Sequence, residues 1–342
     1  MKAMDVWTRK GSGRALAGAL VALALLAGAP AWGQPALTRV SIGHSNVRND
    51  IAALWVPREV GIFTKHGLDV TAILVEGGRQ MTQAILSGSI PVGFTGVPTV
   101  ASAVAAGGDA VIILGITNKI TFDIWAKPEL KAPGDLKGKI LGISGLGATS
   151  HIAAFLMLRH FGLDPVRDRI TFLAVGDEAL RAQALLGQRI DVTIIDPSVA
   201  GPVKDRGFSF FGNMEKLGIP FINNALVTTR KYVREQPKIV EAVIKGIVEG
   251  NAYILNPANR RTVTDILARN LRLDLEKADR AYQDLLPKVE RKPYANMEAV
   301  AVTIQIMGES NSKIAQLKPE QLVDVSLLRR LEQEGVIDQL YR

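Results

Sequence analysis

The stretch that most constrains this chain is Lys139–Phe161, KILGISGLGATSHIAAFLMLRHF. It predicts a strand over Lys139–Ile143, a glycine-rich turn over Ser144–Gly147, and a helix with Ile152, Phe155 and Leu156 at helical spacing. Thr149 and Ser150 are of the types that cap a helix start, and Gly162 and Pro165 end the helix. Glycines in such a turn reach positive φ cheaply and let a ligand approach the backbone. The free N–H groups and positive dipole end of the helix then make a seat for a carboxylate, sulfonate or similar group. The same signature also fits a βα turn that binds nothing.

The unit recurs along the chain. Strands are expected at Leu37–Gly43, Leu68–Val75, Ile90–Phe94, Ala110–Ile116, Ile170–Val175, Ile190–Ile195 and Phe221–Thr229. Helices follow most of them, including Gln80–Leu86 and Glu178–Leu186. Asn49 or Asp50 is placed to cap an earlier helix that Pro57 kinks or shortens. From Tyr232 onward the pattern is helical: Pro237–Leu255, Asn259–Asn270, Asp274–Leu286, Met297–Gln316 and Lys318–Glu334. Gln83–Leu86 leading to Ile90 and Val92 is echoed by Gln183–Leu186 leading to Ile190 and Val192, which predicts two similar βαβ lobes. Extended segments near Asn118–Phe122 and Asn223–Thr228 join them. Alternating βα units give α/β lobes with parallel sheets, whose ligands sit outside the carboxyl ends of the strands. The polar and glycine residues collect at those ends, which describes a clamshell.

At 342 residues the length fits about two domains. Hydrophobic content of 47% and charged content of 22% are ordinary for a globular protein. Basic residues through Arg14 precede the uncharged run Ala15–Ala27 and then Ala31-Trp32-Gly33. This predicts a secretory signal peptide over residues 1–33, cut after Gly33 or, second, after Ala31. The run is too short for a membrane anchor, which needs roughly 20 apolar residues. The mature chain is expected in the periplasm as a soluble monomer. It is not a lipoprotein, because the sequence has no cysteine. The same lack excludes disulfides, thiolate metal sites and a cysteine nucleophile. The N-terminal segment carries three of the eight net positive charges, and no basic run with interleaved aromatics marks a nucleic-acid partner.

Residues Glu59–Val70, with GIFTKHGLDV at their heart, together with Asp135–Lys139 (DLKGK) and Leu185–Val192, carry a resemblance. The chain resembles, over Val40–Asp338, the periplasmic solute-binding proteins of nitrate/sulfonate/taurine-type ABC importers. The resemblance implies the type II periplasmic binding protein fold, a two-lobed Venus-flytrap with two crossover segments. Lobe one is then residues 34–120 plus 222–342, and lobe two 121–221. The implied function is capture of a small anionic solute, sulfonate-, nitrate- or carboxylate-like, and delivery to an ABC permease. Pro91, where the family often has an acidic residue, and Pro57, in the usual first helix, depart from the pattern.

The candidate ligand contacts are the helix starts and strand ends of both lobes. They are Ser45, Asn46, Gly78, Arg79, Gln80, Thr95 and Asn118 from one, and Ser144, Gly147, Thr149, Ser150, His151, Gly176, Asp177 and Asp196 from the other. Arg79 is the candidate charged contact, or else a solvated surface residue. Asp177 and Asp196 would repel an anion, so capping or binding an amine suits them better. Asn118 and Asn223 lie on the crossovers, where turn duty is the alternative. Trp55 and Trp125 suit ring stacking or the core. No cofactor or metal is expected, since the four histidines lack paired ligand spacing. A Ser144/His151/Asp196 triad can be drawn, but Gly142–Leu146 fails the nucleophile-elbow pattern at its last position. An enzyme branch of the fold, the thiamine-pyrimidine synthases, requires a cysteine cluster. An exported enzyme, or a ligand-loaded sensor docking on a membrane protein, are the alternative functions.

Overall fold

A computed structural model describes residues 36–342. The expected export signal and its cleavage site lie outside the described residues. Two five-stranded sheets form the frame. The first holds β1 (Thr38–His44), β2 (Leu68–Leu74), β3 (Val92–Thr95) and β4 (Ala110–Thr117), and, after an excursion through the second, β10 (Asn224–Thr229). The second holds β5 (Asp123–Ala126), β6 (Ile140–Ile143), β7 (Thr171–Ala174), β8 (Val192–Ile195) and β9 (Ser209–Asn213).

The strand orders are β2-β1-β3-β10-β4 and β7-β6-β8-β5-β9, so the two sheets repeat one plan. In each, the fourth position is filled by the strand that has just crossed from the other lobe. That strand runs antiparallel, so the sheets are mixed rather than wholly parallel as expected. β3 and β8, which follow the echoed Gln-Ala-x-Leu segments, occupy the same place in their sheets. The crossovers run through residues 118–122 and 214–223, since Asn224 already belongs to β10. β9 was not expected from the sequence. Its SFFGN run is only half-buried, and Gly212, at φ +148, interrupts the regular pairing with β5.

β4 is buried throughout although it lies at a sheet edge. The edge is covered: Ile112 N–H donates to the Leu322 carbonyl, Asp324 N–H to the Ile112 carbonyl, and Gly115 N–H to the Pro293 carbonyl. A row of open strand groups is thereby paired within the chain. One apolar core runs across both lobes, joining Met81 and Ile85 to Leu141, Ile152 and Met157 through Phe221 and Ile222 at a crossover. A second packs the helices Ala52–Glu59, Pro237–Leu255 and Arg260–Leu271 against the other face of the first sheet.

Several local expectations are corrected. Asp50 caps no helix; it is ion-paired instead, and the helix Ala52–Glu59 starts without a side-chain cap. Ala148, not Thr149 or Ser150, is the N-cap of the helix Thr149–His160. The expected helix Met297–Gln316 breaks after Gly308, where Ala315 folds back to within 2.9 Å of the place a β-carbon would take. Lys318–Glu334 divides into a short 3-10 turn, Pro319–Gln321, and the helix Ser326–Gln333.

Candidate functional site

The carboxyl ends of the first sheet's parallel strands face those of the second across a crevice. Its empty space is about 410 Å³, measured out to where it opens to solvent. From the first lobe and the crossovers come Ser45, Asn46, Arg48, Gly77, Gly78, Phe122 and Asn223. From the second come Ser144, Ala148, Thr149, Ser150, Asp177, Glu178 and Arg181. Gly78 and Thr149 thus line one shared cavity.

Backbone geometry builds the walls. Gly77, at φ +91, turns the chain from β2 into the helix Gly78–Ser87. A β-carbon on Gly78 would lie 2.9 Å from Thr95 Oγ1 and 3.2 Å from Thr99 Cγ2, so only glycine lets this helix start sit tight on β3. Thr95 itself is buried and donates to the Gly78 carbonyl, so it fixes the wall from behind. Across the crevice, Ser150 Oγ accepts from Ser144 N–H at 2.8 Å and bonds the Ser144 hydroxyl. Gly147 N–H donates to His151 Nδ1, and burial lowers the pKa of that imidazole. Asp177 caps the helix Glu178–Leu186 by accepting from Leu180 N–H.

The floor is charged. Arg48, 1% exposed, clasps Asp50 with Nε and Nη2, and reaches across the lobes to Glu178 Oε1 at 3.3 Å. Asp50 also accepts from Thr117 and Asn224. Glu178 lies between Arg48 and Arg181 and accepts from Asp196 N–H at 2.5 Å. Burial pushes the Glu178 carboxyl up, against the pull of Arg48 and Arg181. Burial lowers Arg181, whose Nη atoms donate to the carbonyls of Gly176 and Ile194. A second buried pair, Lys288 with Asp196 at 3.3 Å, again joins the lobes. A buried ion pair is weak evidence of stability but strongly fixes geometry, because separating it strands a charge in low dielectric.

The sequence candidates divide accordingly. Ser45, Asn46, Gly78, Ser144, Thr149, Ser150 and Asp177 come together at the crevice. Arg79 and Gln80 stand exposed outside its lining. Thr95, Gly147, His151 and Gly176 support the wall without lining it. Asn118 ties the crossover to the segment before the helix Met297–Gly308, donating to the Tyr294 carbonyl and accepting from Asn296 N–H. Asp196 is buried and caps the turn Pro197–Val199. Trp55 and Trp125 are core residues. Ser144, His151 and Asp196 each bond other groups, so they assemble no triad. No cluster that could hold a metal occurs among the described residues, and no helix among them is long and apolar enough to cross a membrane. Sequence reasoning missed Arg48, Glu178 and Arg181. One signal was present: Glu178, Arg181 and Leu185 share a helical face with buried Ala182, so two charges sit where the apolar period demands burial.

The family model described as NMT1/THI5 like matches residues 48–260. A relative in Brucella abortus (strain 2308), named "Putative binding protein BAB2_1146", is 25% identical over 224 residues, spanning 64% of this chain and 67% of its own. Among solved structures, the alkanesulfonate-binding protein SsuA from Xanthomonas axonopodis pv. citri, bound to MOPS, is similar with a TM-score of 0.68. That match has 19% identity and covers 84% of this chain and 96% of that one. The periplasmic nitrate-binding protein NrtA from Synechocystis PCC 6803 gives 0.69 at 14% identity, covering 90% and 91%. At such identities the likeness to these structures is one of fold, and the fold is that of periplasmic binding proteins. With the family match spanning more than half of its length, the chain belongs to the NMT1/THI5-like family.

Proposed function

We propose that this chain is an extracytoplasmic solute receptor of an ABC-type importer. It takes a small polar solute between residues 34–120 with 222–342 on one side and 121–221 on the other. It then presents the closed form to a membrane permease. The observation that carries this reading is a crevice walled by helix starts of both lobes and floored by the cross-lobe pair Arg48–Glu178. A solute held there gains hydrogen bonds from both jaws while water is expelled. It biases closure because it binds the closed form better than the open one. Capture rather than turnover is supported by the binding proteins among the relatives. The N-terminal segment fits export, with cleavage near Gly33, and a monomer acting in the periplasm.

The test is a thermal-shift screen followed by mass spectrometry of the bound and released compound. A true solute at 100 times its dissociation constant adds about 2.7 kcal/mol of stability, and it leaves chemically unchanged. Release of an altered compound would replace the receptor with an enzyme.

A further inference from the structure

The buried groups around the crevice form a directed hydrogen-bond chain. Asp196 accepts from the Thr121 hydroxyl at 2.7 Å. Burial pushes the Asp196 carboxyl up, but Lys288, Arg48 and Thr121 outweigh it and bring it down to about 2, so at neutral pH it only accepts. The single Thr121 proton is therefore engaged. Asn223 Nδ2, 2.6 Å from Thr121 Oγ1, must be the donor in that contact. This fixes which way the Asn223 amide faces, an assignment that only the network can make. Its carbonyl oxygen is left buried without a protein partner in a residue 3% exposed that lines the crevice.

The charges at the crevice cancel. Among its lining residues Arg48 and Arg181 face Asp177 and Glu178, and Asp50 holds Arg48 from behind. Asp177 also occupies the start of one of the helices that was expected to seat an anion. Arg181 Nε is also buried without a partner, but its charge is already met by Glu178, so an acceptor-only oxyanion would meet no uncompensated cation and would leave Asn223 Oδ1 unmatched.

We propose that Asn223 determines specificity, and that the solute carries an N–H or O–H donor for Asn223 Oδ1 and no net negative charge. This rests on the crevice being the solute site. An unmatched buried acceptor is costly, so a ligand that lacks the donor is rejected more strongly than one that lacks an apolar contact.

The experiment is a binding screen of matched compounds on the full mature chain. Ethanesulfonate is compared with taurine, benzoate with 4-aminobenzamide, and pyrimidine with 4-aminopyrimidine. The expected result is that donor-bearing members without net negative charge bind about tenfold tighter than their partners. In Asn223→Leu that ratio falls towards one, while the weaker partner's affinity changes little. Should the variant not fold, the wild-type ratios alone decide. Equal or tighter binding of the acceptor-only anions overturns the inference and leaves the receptor reading standing. If no compound in the screen shifts the melting temperature, the receptor reading falls and the inference with it.

Discussion

Gly96 shows how much can rest on one missing side chain. Its backbone, at φ −90 and ψ 153, is open to any residue, so conformation does not demand glycine. The demand comes from the other lobe. A β-carbon there would fall inside Thr149 Oγ1 and stand 3.0 Å from Thr149 Cβ. Gly96→Ala should therefore act as a wedge between the jaws while each lobe stays folded. Overpacking of this kind costs about 1–3 kcal/mol, so solute affinity should fall about tenfold or more, read by calorimetry. Thr149→Ala removes the hydroxyl and should restore most of the loss in the double variant. Because Thr149 also lines the crevice, the full double-mutant cycle is needed to isolate the contact. Unchanged affinity in Gly96→Ala would mean the lobes do not approach this closely in solution. Residue-scale features of this sort were half legible. Glycines and hydroxyls at Gly78, Ser144 and Thr149 could be read, because strand ends and helix starts dictate where such backbone turns fall. Glu178 and Arg181 showed only in the apolar period of their helix, and Arg48 could not be read at all, because a charge outside such a period reads the same whether a partner 130 positions away buries it or water surrounds it. Arg79 looked better placed by position in the chain, yet its side chain is exposed.

Among the elements, the helix Pro237–Leu255 explains how Pro57 is tolerated. Gly246 and Gly250 are four residues apart and so share a face. A β-carbon on Gly250 would lie 2.9 Å from Pro57 Cγ and Cδ, and one on Gly246 would strike the ring of Phe63. The proline ring is received in a notch, and the helix Ala52–Glu59 continues through it to end two residues later. Pro57 was expected to kink or shorten its helix, which does end at Glu59, but the glycine that receives its ring lies nearly two hundred positions on. In an exposed helix Gly→Ala stabilises by up to about 1 kcal/mol. Here the sign should reverse: Gly250→Val should lose about 1–3 kcal/mol in denaturant melts, with the rigid Pro57 ring unable to rotate away. A gain in stability would show that the notch is loose. Element order was legible because the βα period repeats, and the glutamine-led echo located matching strands in both sheets. The mixed direction of each sheet was not, since it depends on the chain crossing between lobes before it pairs.

At the scale of the whole molecule, buried carboxyls at the junction of the lobes make stability depend on pH in two separate windows. Asp123, on the first strand after a crossover, is pushed up to about 6 by burial and by Asp196, against a hydrogen bond from Asn213. In the unfolded chain it titrates near 3.9. The folded state therefore holds the extra proton between about pH 4 and pH 6. Its contribution is complete below the unfolded value and is lost as pH rises through about 6, with a slope of at most about 1.4 kcal/mol per pH unit for one proton. Asp196 works the opposite way. Brought down to about 2, it contributes above the unfolded value and loses that contribution as pH falls from about 4 towards 2. Taken as a pair, these two groups contribute most near pH 4, between the windows, and Glu178 and Asp284, also pushed up by burial, add to the upper one. Asp123→Asn should flatten the decline between pH 4 and 6 while leaving the acid limb in place, since Asn213 can still pair with an amide. Melting temperatures taken at half-unit steps from pH 3 to 8 would check it. A decline that is unchanged in Asp123→Asn would assign the upper window to Glu178 and Asp284 alone, and the burial at the lobe junction would then not reach Asp123.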